Sequence, residues 1–273
     1  MSAADRSGGG TGDRLRIAYV YDAFYYSGPL LTYNYPNGAG AGGYRMGGMP
    51  SYATLMTETD GAGPHFHRRH VDAFYVLEGE MAYTFGREDR TVVASAGTFV
   101  LVPAGVVHTF ANQSEHEVRW LNFHAPDAGF AAFLRGDASA FDSEDPPPDR
   151  GRPADDALVS GPSAGDRFER EDRILEIKGE VPELSAIEIA FDPSFTVEPH
   201  GHTDHTDAFW VLDGKVEFTV GDDAVVAEAG TFVAAPPDSR HGFRNPGAVR
   251  AKILNLHGPD AGFADSIRRF RPS

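Results

Sequence analysis

Along most of the chain the hydrophobic positions come in short runs rather than in long stretches of helical period. "AFYVLEG" (73–79), "EMAYTFG" (80–86), "RTVVA" (90–94), "TFVLVP" (98–103) and "HTFANQ" (108–113) are rich in Val, Phe, Thr and Tyr. Gly, Pro and Asp turns separate them at a spacing that predicts antiparallel all-β structure, a sandwich or a barrel. Helical pattern is confined to "DAGFAAFLRG" (127–136) and "DAGFADSIRRF" (260–270).

The same pattern is written twice. His65, His67, Asp72 and Gly79 recur 135 residues later as His200, His202, Asp207 and Gly214. Gly97, Pro103, His108 and Asn112 recur 133 residues later as Gly230, Pro236, His241 and Asn245, so a hairpin between the two blocks is shorter in the second copy. "NFHAPDAGF" (122–130) and "NLHGPDAGF" (255–263) close the two units. The expected organisation is a disordered tail over 1–14, a first domain over 15–140, a linker over 141–168 rich in acidic residues and proline, and a second domain over 169–273. The first domain opens with a stretch that has no counterpart in the second, with six tyrosines between Tyr19 and Tyr35. It is expected to be a packing arm laid across a barrel or against the other unit, or else a lid at a substrate entrance.

Composition narrows the function classes. Forty acidic against twenty-four basic residues give a formal charge of −16, which disfavours nucleic acid and anionic membrane surfaces as partners. The absence of cysteine removes disulfides, thiolate metal ligands and a cysteine nucleophile. The longest nearly apolar run, "GTFVLVPAGVV", falls short of the roughly 18–20 residues that span a bilayer. With no apolar stretch in the polar, glycine-rich start, the expected location is cytoplasmic.

Candidate chemistry lies in the histidine clusters. Side chains two apart in a strand share a face, so His65 and His67 point the same way. A turn then brings Asp72 to the start of the next strand, and His108 follows the Pro103–Gly105 turn. His200, His202, Asp207 and His241 repeat the set. Three imidazoles and one carboxylate suit a divalent transition metal, with Fe(II) first and Mn(II), Ni(II), Co(II) or Zn(II) as alternatives. Asn112 and Asn245 are candidates for supporting the ligands or lining the pocket. His70 and His205 sit in the turn between the paired strands; they are solvated turn residues, alternate ligands or acid–base groups at the mouth. His124 and His257 are expected to be structural hydrogen-bonding groups at a strand end, and alternation does not settle which way they face. Arg68, Arg69 and Arg240 are turn residues of open direction. Alternation places Phe74 on the face of Asp72 and Tyr75 on the other, so Phe74, and Phe209 in the second unit, are pocket candidates.

The first unit reads HxHx4D, six residues, Gly, then Gly-x5-Pro-x-Gly-x2-His-x3-Asn. It resembles the two signature motifs of the cupin superfamily with aspartate in place of glutamate. The second unit fits too, except that Asp238 stands at the second-motif glycine. Together the units resemble a bicupin of the quercetin 2,3-dioxygenase-like kind, which implies two tandem jelly-roll β-barrel domains with a few short helices. In such enzymes the glutamate both ligates metal and takes the substrate's hydroxyl proton, and both roles fall here on Asp72 and Asp207. Aspartate reaches about 1.2–1.5 Å less far, which leaves open direct ligation, a bridging water or a base one step removed from the metal. The function implied is a metal-dependent, dioxygenase-type oxygenase acting on an aromatic or enolisable small molecule, flavonol-like or another secondary metabolite, with O2 as co-substrate and a monomeric or homodimeric chain. A non-oxidative metal-dependent isomerase, cyclase or lyase, or a non-catalytic ligand-binding bicupin, are the alternatives. The regular Gly105 turn points to the first barrel as the active one.

Overall fold

A computed structural model of the chain describes residues 16–19, 51–56, 61–114, 116, 118–130, 133 and 138–269. The first unit contains β1 (Arg16–Tyr19), β2 (Ser51–Met56), β3 (Gly61–His65), β4 (Val71–Glu78), β5 (Glu80–Phe85), β6 (Arg90–Ser95), β7 (Phe99–Val102), β8 (His108–Ala111) and β9 (Val118–Ala125). Two short strands, β10 (Leu158–Ser160) and β11 (Asp166–Glu169), precede the second unit. That unit holds β12 (Arg173–Val181), β13 (Leu184–Phe191), β14 (Thr196–His200), β15 (Thr206–Asp213), β16 (Lys215–Val220), β17 (Asp223–Glu228), β18 (Thr231–Ala235), β19 (His241–Arg244), β20 (Ala251–Gly258) and the helix α1 (Phe263–Arg269).

Each unit is a pair of antiparallel sheets. In the first they run β10-β7-β4-β9-β2 and β3-β8-β5-β6; in the second they run β1-β18-β15-β20-β13-β12-β11 and β14-β19-β16-β17. The antiparallel all-β structure expected from the short apolar runs, and the two tandem jelly-roll barrels that the cupin resemblance implies, are the ones observed. The hairpin that carries the two-residue difference is β5–β6, where Phe85 pairs with Arg90, against β16–β17, where Val220 pairs with Asp223 across a tighter turn.

The barrels exchange strands. β1, which precedes the first barrel, pairs with β18 of the second, and β10, which precedes the second, pairs with β7 of the first. Each exchange covers a sheet edge that would otherwise expose unpaired backbone groups. Arg16–Tyr19 thus pairs with the other unit, while the tail and most of the tyrosine-rich stretch expected to form a packing arm or lid lie outside the described residues. The stretch expected to be a linker is not free either. Phe66 bridges to Glu144, Val106 bridges to Gly151, and residues 141–160 run along the first barrel. Its charges and prolines resemble a linker's, yet backbone pairing and ion pairs hold it down and Ala154 and Ala157 are buried in the core of the first barrel.

Strand faces explain the core. On β4, Val71, Ala73 and Tyr75 point away from the barrel axis, while Asp72, Phe74 and Val76 point towards it, and all six are buried. The outward set joins Phe99, Leu101, Leu121 and Phe123 against Ala186, Ala208, Trp210, Phe232 and Leu254 of the second barrel, forming one apolar layer between the barrels. The inward sets fill the two barrels separately.

Candidate metal centres

Register brings the ligand residues together. His65 lies directly across from His108 on the β3–β8 pair, and Asp72 lies between Val102 of β7 and His124 of β9. β3 ends at His65, yet His67 still turns to the same point, its ring centroid 5.0 Å from that of His65 and 5.1 Å from that of His108. His65, His67, Asp72 and His108 each offer one ligand atom, and these atoms all lie within 4.8 Å of one another; His200, His202, Asp207 and His241 do the same in the second barrel. Ligands at about 2.0–2.2 Å from a metal stand up to about 4.4 Å apart, so small contraction closes either set.

The hydrogen bonds fix which nitrogen faces inward. The Nδ1–H groups of His65, His67 and His108 donate to the carbonyls of Gly63 (2.8 Å), Asp142 (2.5 Å) and Val106 (3.1 Å). A neutral imidazole has one donor and one acceptor nitrogen, so each Nε2 presents a lone pair. Those lone pairs meet a carboxylate oxygen: Asp72 Oδ2 lies 3.2 Å from His108 Nε2 and 3.4 Å from His67 Nε2, and His67 Nε2 is buried with no hydrogen-bond partner among the described residues. Acceptors facing acceptors in a buried cluster are mutually repulsive until a cation enters, and the donor set therefore fits a divalent metal. In the second barrel His200 and His241 donate likewise to Glu198 (3.0 Å) and Ser239 (2.9 Å), and Asp207 Oδ2 lies 3.0 Å from His241 Nε2.

The other oxygen of each aspartate is held from behind. Asn122 Nδ2 donates to Asp72 Oδ1 and to the Ala73 carbonyl, and Asn255 does the same for Asp207 and Ala208. His124 Nε2 donates to Asn122 Oδ1 (3.1 Å) and lies 3.5 Å from Asp72 Oδ1; His257 Nε2 lies 3.2 Å from Asp207 Oδ1. Burial raises the Asp72 carboxyl, but in the metal-free cluster protons carried by the His124, His108 and His67 imidazoles outweigh it and hold it well below the usual range. His257 and His241 hold Asp207 low in the same way. Burial, with His108 second, pushes His65 down to about 3.

Several expected site residues lie elsewhere. Asn112 sits at the far end of β8, about 13 Å of extended chain from His108, where it staples a turn by accepting from Ser114 N and donating to the His116 carbonyl. Asn245 clasps Gly247 and Val249 in the same way. Neither supports the ligands or lines a pocket beside them. His70 and His205 are not at the mouth: they are 0 % and 4 % exposed and lie behind the ligands. His70 Nδ1 donates to Asp142 Oδ2 (2.9 Å), its Nε2 lies 2.9 Å from His124 Nδ1, and burial followed by His67 lowers it to about 4. Phe74 does share the face of Asp72, but it is fully buried against Tyr83 and Phe110 (5.1 and 5.2 Å), making it the packed floor beneath the ligands. Phe209 is equally buried, 6.3 Å from the His241 ring. Arg68 pairs with Glu144, and Arg240 donates to the Pro199 carbonyl, so both are engaged in turn structure.

Asn122, Asn255 and Asp142 are the residues that sequence reasoning did not reach. The two asparagines had a signal, since each stands two residues before a repeated histidine and so shares its face. Asp142 occurs once and had none. The second-motif turns are also equivalent: Asp238 takes the left-handed φ of 67° where Gly105 has 83°, and both donate N–H to the carbonyl of the second ligand histidine, at 2.6 and 2.7 Å. The Gly105 turn is thus no reason to favour the first barrel.

The Cupin_2 family model, described as Cupin domain, matches residues 51–124 and 187–257, more than half of the chain. No curated protein matches. Among solved structures, a salicylate 1,2-dioxygenase from Pseudaminobacter salicylatoxidans is 12% identical, with 86% of this chain and 77% of that chain covered and a TM-score of 0.59. A Bacillus subtilis oxalate decarboxylase, described with Mn(II) centres, is 13% identical, with 78% of this chain and 69% of that one covered and a TM-score of 0.56. At such identities these likenesses show the fold.

Proposed function

The chain belongs to the cupin family, and from that premise we propose that it is a metal-dependent bicupin enzyme of the dioxygenase type, acting on an aromatic or enolisable small molecule. The observation that carries the reading is the ring of inward-facing acceptors, three Nε2 lone pairs and one carboxylate oxygen, with every imidazole of the first barrel anchored at Nδ1. His65, His67, Asp72 and His108 would hold a divalent metal such as Fe(II), which would supply Lewis acidity and O2 chemistry at the site. The chain's own residues then have distinct tasks. Gly63, Asp142 and Val106 carbonyls hold the tautomers that keep Nε2 free. Asn122 fixes Asp72 Oδ1, leaving Oδ2 to ligate directly despite the shorter side chain. With Oδ1 held by Asn122 and Oδ2 turned towards the Nε2 atoms of His108 and His67, ligation is the stronger of the two roles that the resemblance implied for Asp72. The fold neighbour named for dioxygenase action on salicylate, an aromatic hydroxy acid, supports the substrate class.

The test is O2 consumption by protein loaded anaerobically with Fe(II), Mn(II), Ni(II) or Co(II), offered flavonols, catechols and hydroxybenzoates. Uptake with at least one metal and substrate pair, abolished when His67→Ala and His202→Ala are combined, is expected. Conversion that proceeds equally under argon would instead identify a non-oxidative isomerase, cyclase or lyase.

A further inference from the structure

The two ligand sets are near copies, but their surroundings are not. In the first barrel, residues 141–152 cross both motifs. The Asp142 carbonyl accepts from His67 Nδ1, and its carboxylate, 6% exposed, accepts from Arg68 N (3.2 Å), Arg69 N (2.8 Å) and His70 Nδ1 (2.9 Å). Glu144 exchanges backbone hydrogen bonds with Phe66 at 3.1 and 3.0 Å and holds the Arg68 guanidinium. Eight residues on, Arg152 N donates to the Gly105 carbonyl (3.2 Å) and its guanidinium to the Ala104 carbonyl (2.9 Å), which ties the segment to the turn before His108. Gly151 is needed there, because at its φ of 72° a Cβ would meet the Gly105 oxygen at 2.7 Å. One segment thus laces the loop carrying His67 to the turn carrying His108.

Nothing among the described residues does this for the second barrel. His202 Nδ1 has no hydrogen-bond partner there, and His205 is held only by its neighbour Asp204, whose side chain is 74% exposed. His67 is 2% exposed, whereas His202 is half-buried and His200 exposed.

We infer that residues 141–152 are a latch that makes the first barrel the slow-exchanging metal site and leaves the second open to exchange, with Asp142 as its positioning residue. The inference rests on the metal-centre reading above. A ligand imidazole leaves a metal by rotating or by swinging with its loop; the Asp142 carbonyl opposes the first and its carboxylate, bound to three groups of residues 68–70, opposes the second. His202 meets neither constraint among the described residues.

The experiment loads the full chain with Co(II), adds excess EDTA at neutral pH, and follows both the visible Co(II) absorption and the metal retained. Two equivalents are expected to leave the wild type in two phases differing by about tenfold or more in rate, the scale on which such supporting partners act. The fast phase should be missing in His202→Ala and the slow one in His67→Ala. Asp142→Ala should bring the slow phase close to the fast one, and Asp142→Asn, which keeps one acceptor oxygen, should fall between. If Asp142→Ala does not fold, the intermediate rate of Asp142→Asn carries the test. Equal release rates in the wild type, or a slow phase unchanged in both Asp142 variants, overturn the latch while leaving the metal centres standing. A wild type that binds no Co(II) overturns the metal-centre reading and the latch with it.

Discussion

Asp72 and Asn122 act as a pair. One carboxylate oxygen faces the imidazoles and the other is fixed by an amide that is itself fixed by the Ala73 carbonyl and His124. An aspartate left free behind would have to lose rotamer freedom on binding a metal, and here that cost is met when the chain folds. Asn122→Ala should therefore lower metal affinity at the first barrel by about 10–100-fold, measured by competition with a chromophoric chelator, while the second barrel keeps its affinity. An unchanged first-site affinity would mean that Asp72 is oriented by the strand alone. The ligand residues were legible because strand period and repetition both point to them. His70 and Asn112 were misplaced because local spacing says nothing about which loop folds over a turn, or how far along a strand a turn begins.

At the scale of elements, the strands themselves were readable from alternation and turn residues, but their partners were not. β4 is buried on both faces, so its run of six apolar or site residues looks like any core strand, and only the register shows that one face serves a barrel and the other the contact between barrels. The same holds for β12, whose bulge between Ile177 and Gly179 sets a backbone segment against the first barrel. A Cβ on Gly179 would meet the Phe99 ring at 2.8 Å, with Leu101 close behind. Phe99 is fully buried and cannot swing away, so Gly179→Ala should destabilise the chain by about 1–3 kcal/mol in denaturant unfolding, the usual cost of overpacking. An effect below about 0.5 kcal/mol, the range of a surface substitution, would show that the contact between barrels is loose there. The role of Gly179 depends on Phe99 and Leu101, over seventy positions away, which no local pattern encodes.

Across the whole molecule the two barrels are joined by three features: exchanged strands, a shared apolar layer, and a buried polar network. In that network Tyr75 of the first barrel donates to Glu188 Oε1 (2.7 Å), and Lys178, 1% exposed, pairs with Glu176 (2.8 Å) and donates to the Gly161 carbonyl (2.6 Å). Such joining should make the chain unfold in a single step, and its buried histidines should make that step pH-dependent. His65, His70 and His202 are lowered from 6.5 to about 3, 4 and 4, chiefly by burial, and burial also puts His124 well below 6.5. Between about pH 6.5 and 4 the unfolded chain binds protons at these positions that the folded chain does not, so stability is full above 6.5 and is lost as the pH falls through that window. His241 works in the other direction, since Asp207 raises it against the effect of burial, but it is one group against four. Below about 3.8 the low carboxyls of Asp72 and Asp207 add to the loss. Calorimetry of the metal-stripped protein between pH 7.5 and 4.5 should show one transition whose Tm falls by more than about 4 °C, the most that ~1 kcal/mol shifts a chain of this size. Restored metal should raise the Tm at neutral pH and leave the slope at least as steep, because metal-bound imidazoles take up no protons while the unfolded chain still does. A Tm independent of pH would mean that the clusters are hydrated and titrate normally, and two separated transitions would mean that the layer between the barrels does not couple them.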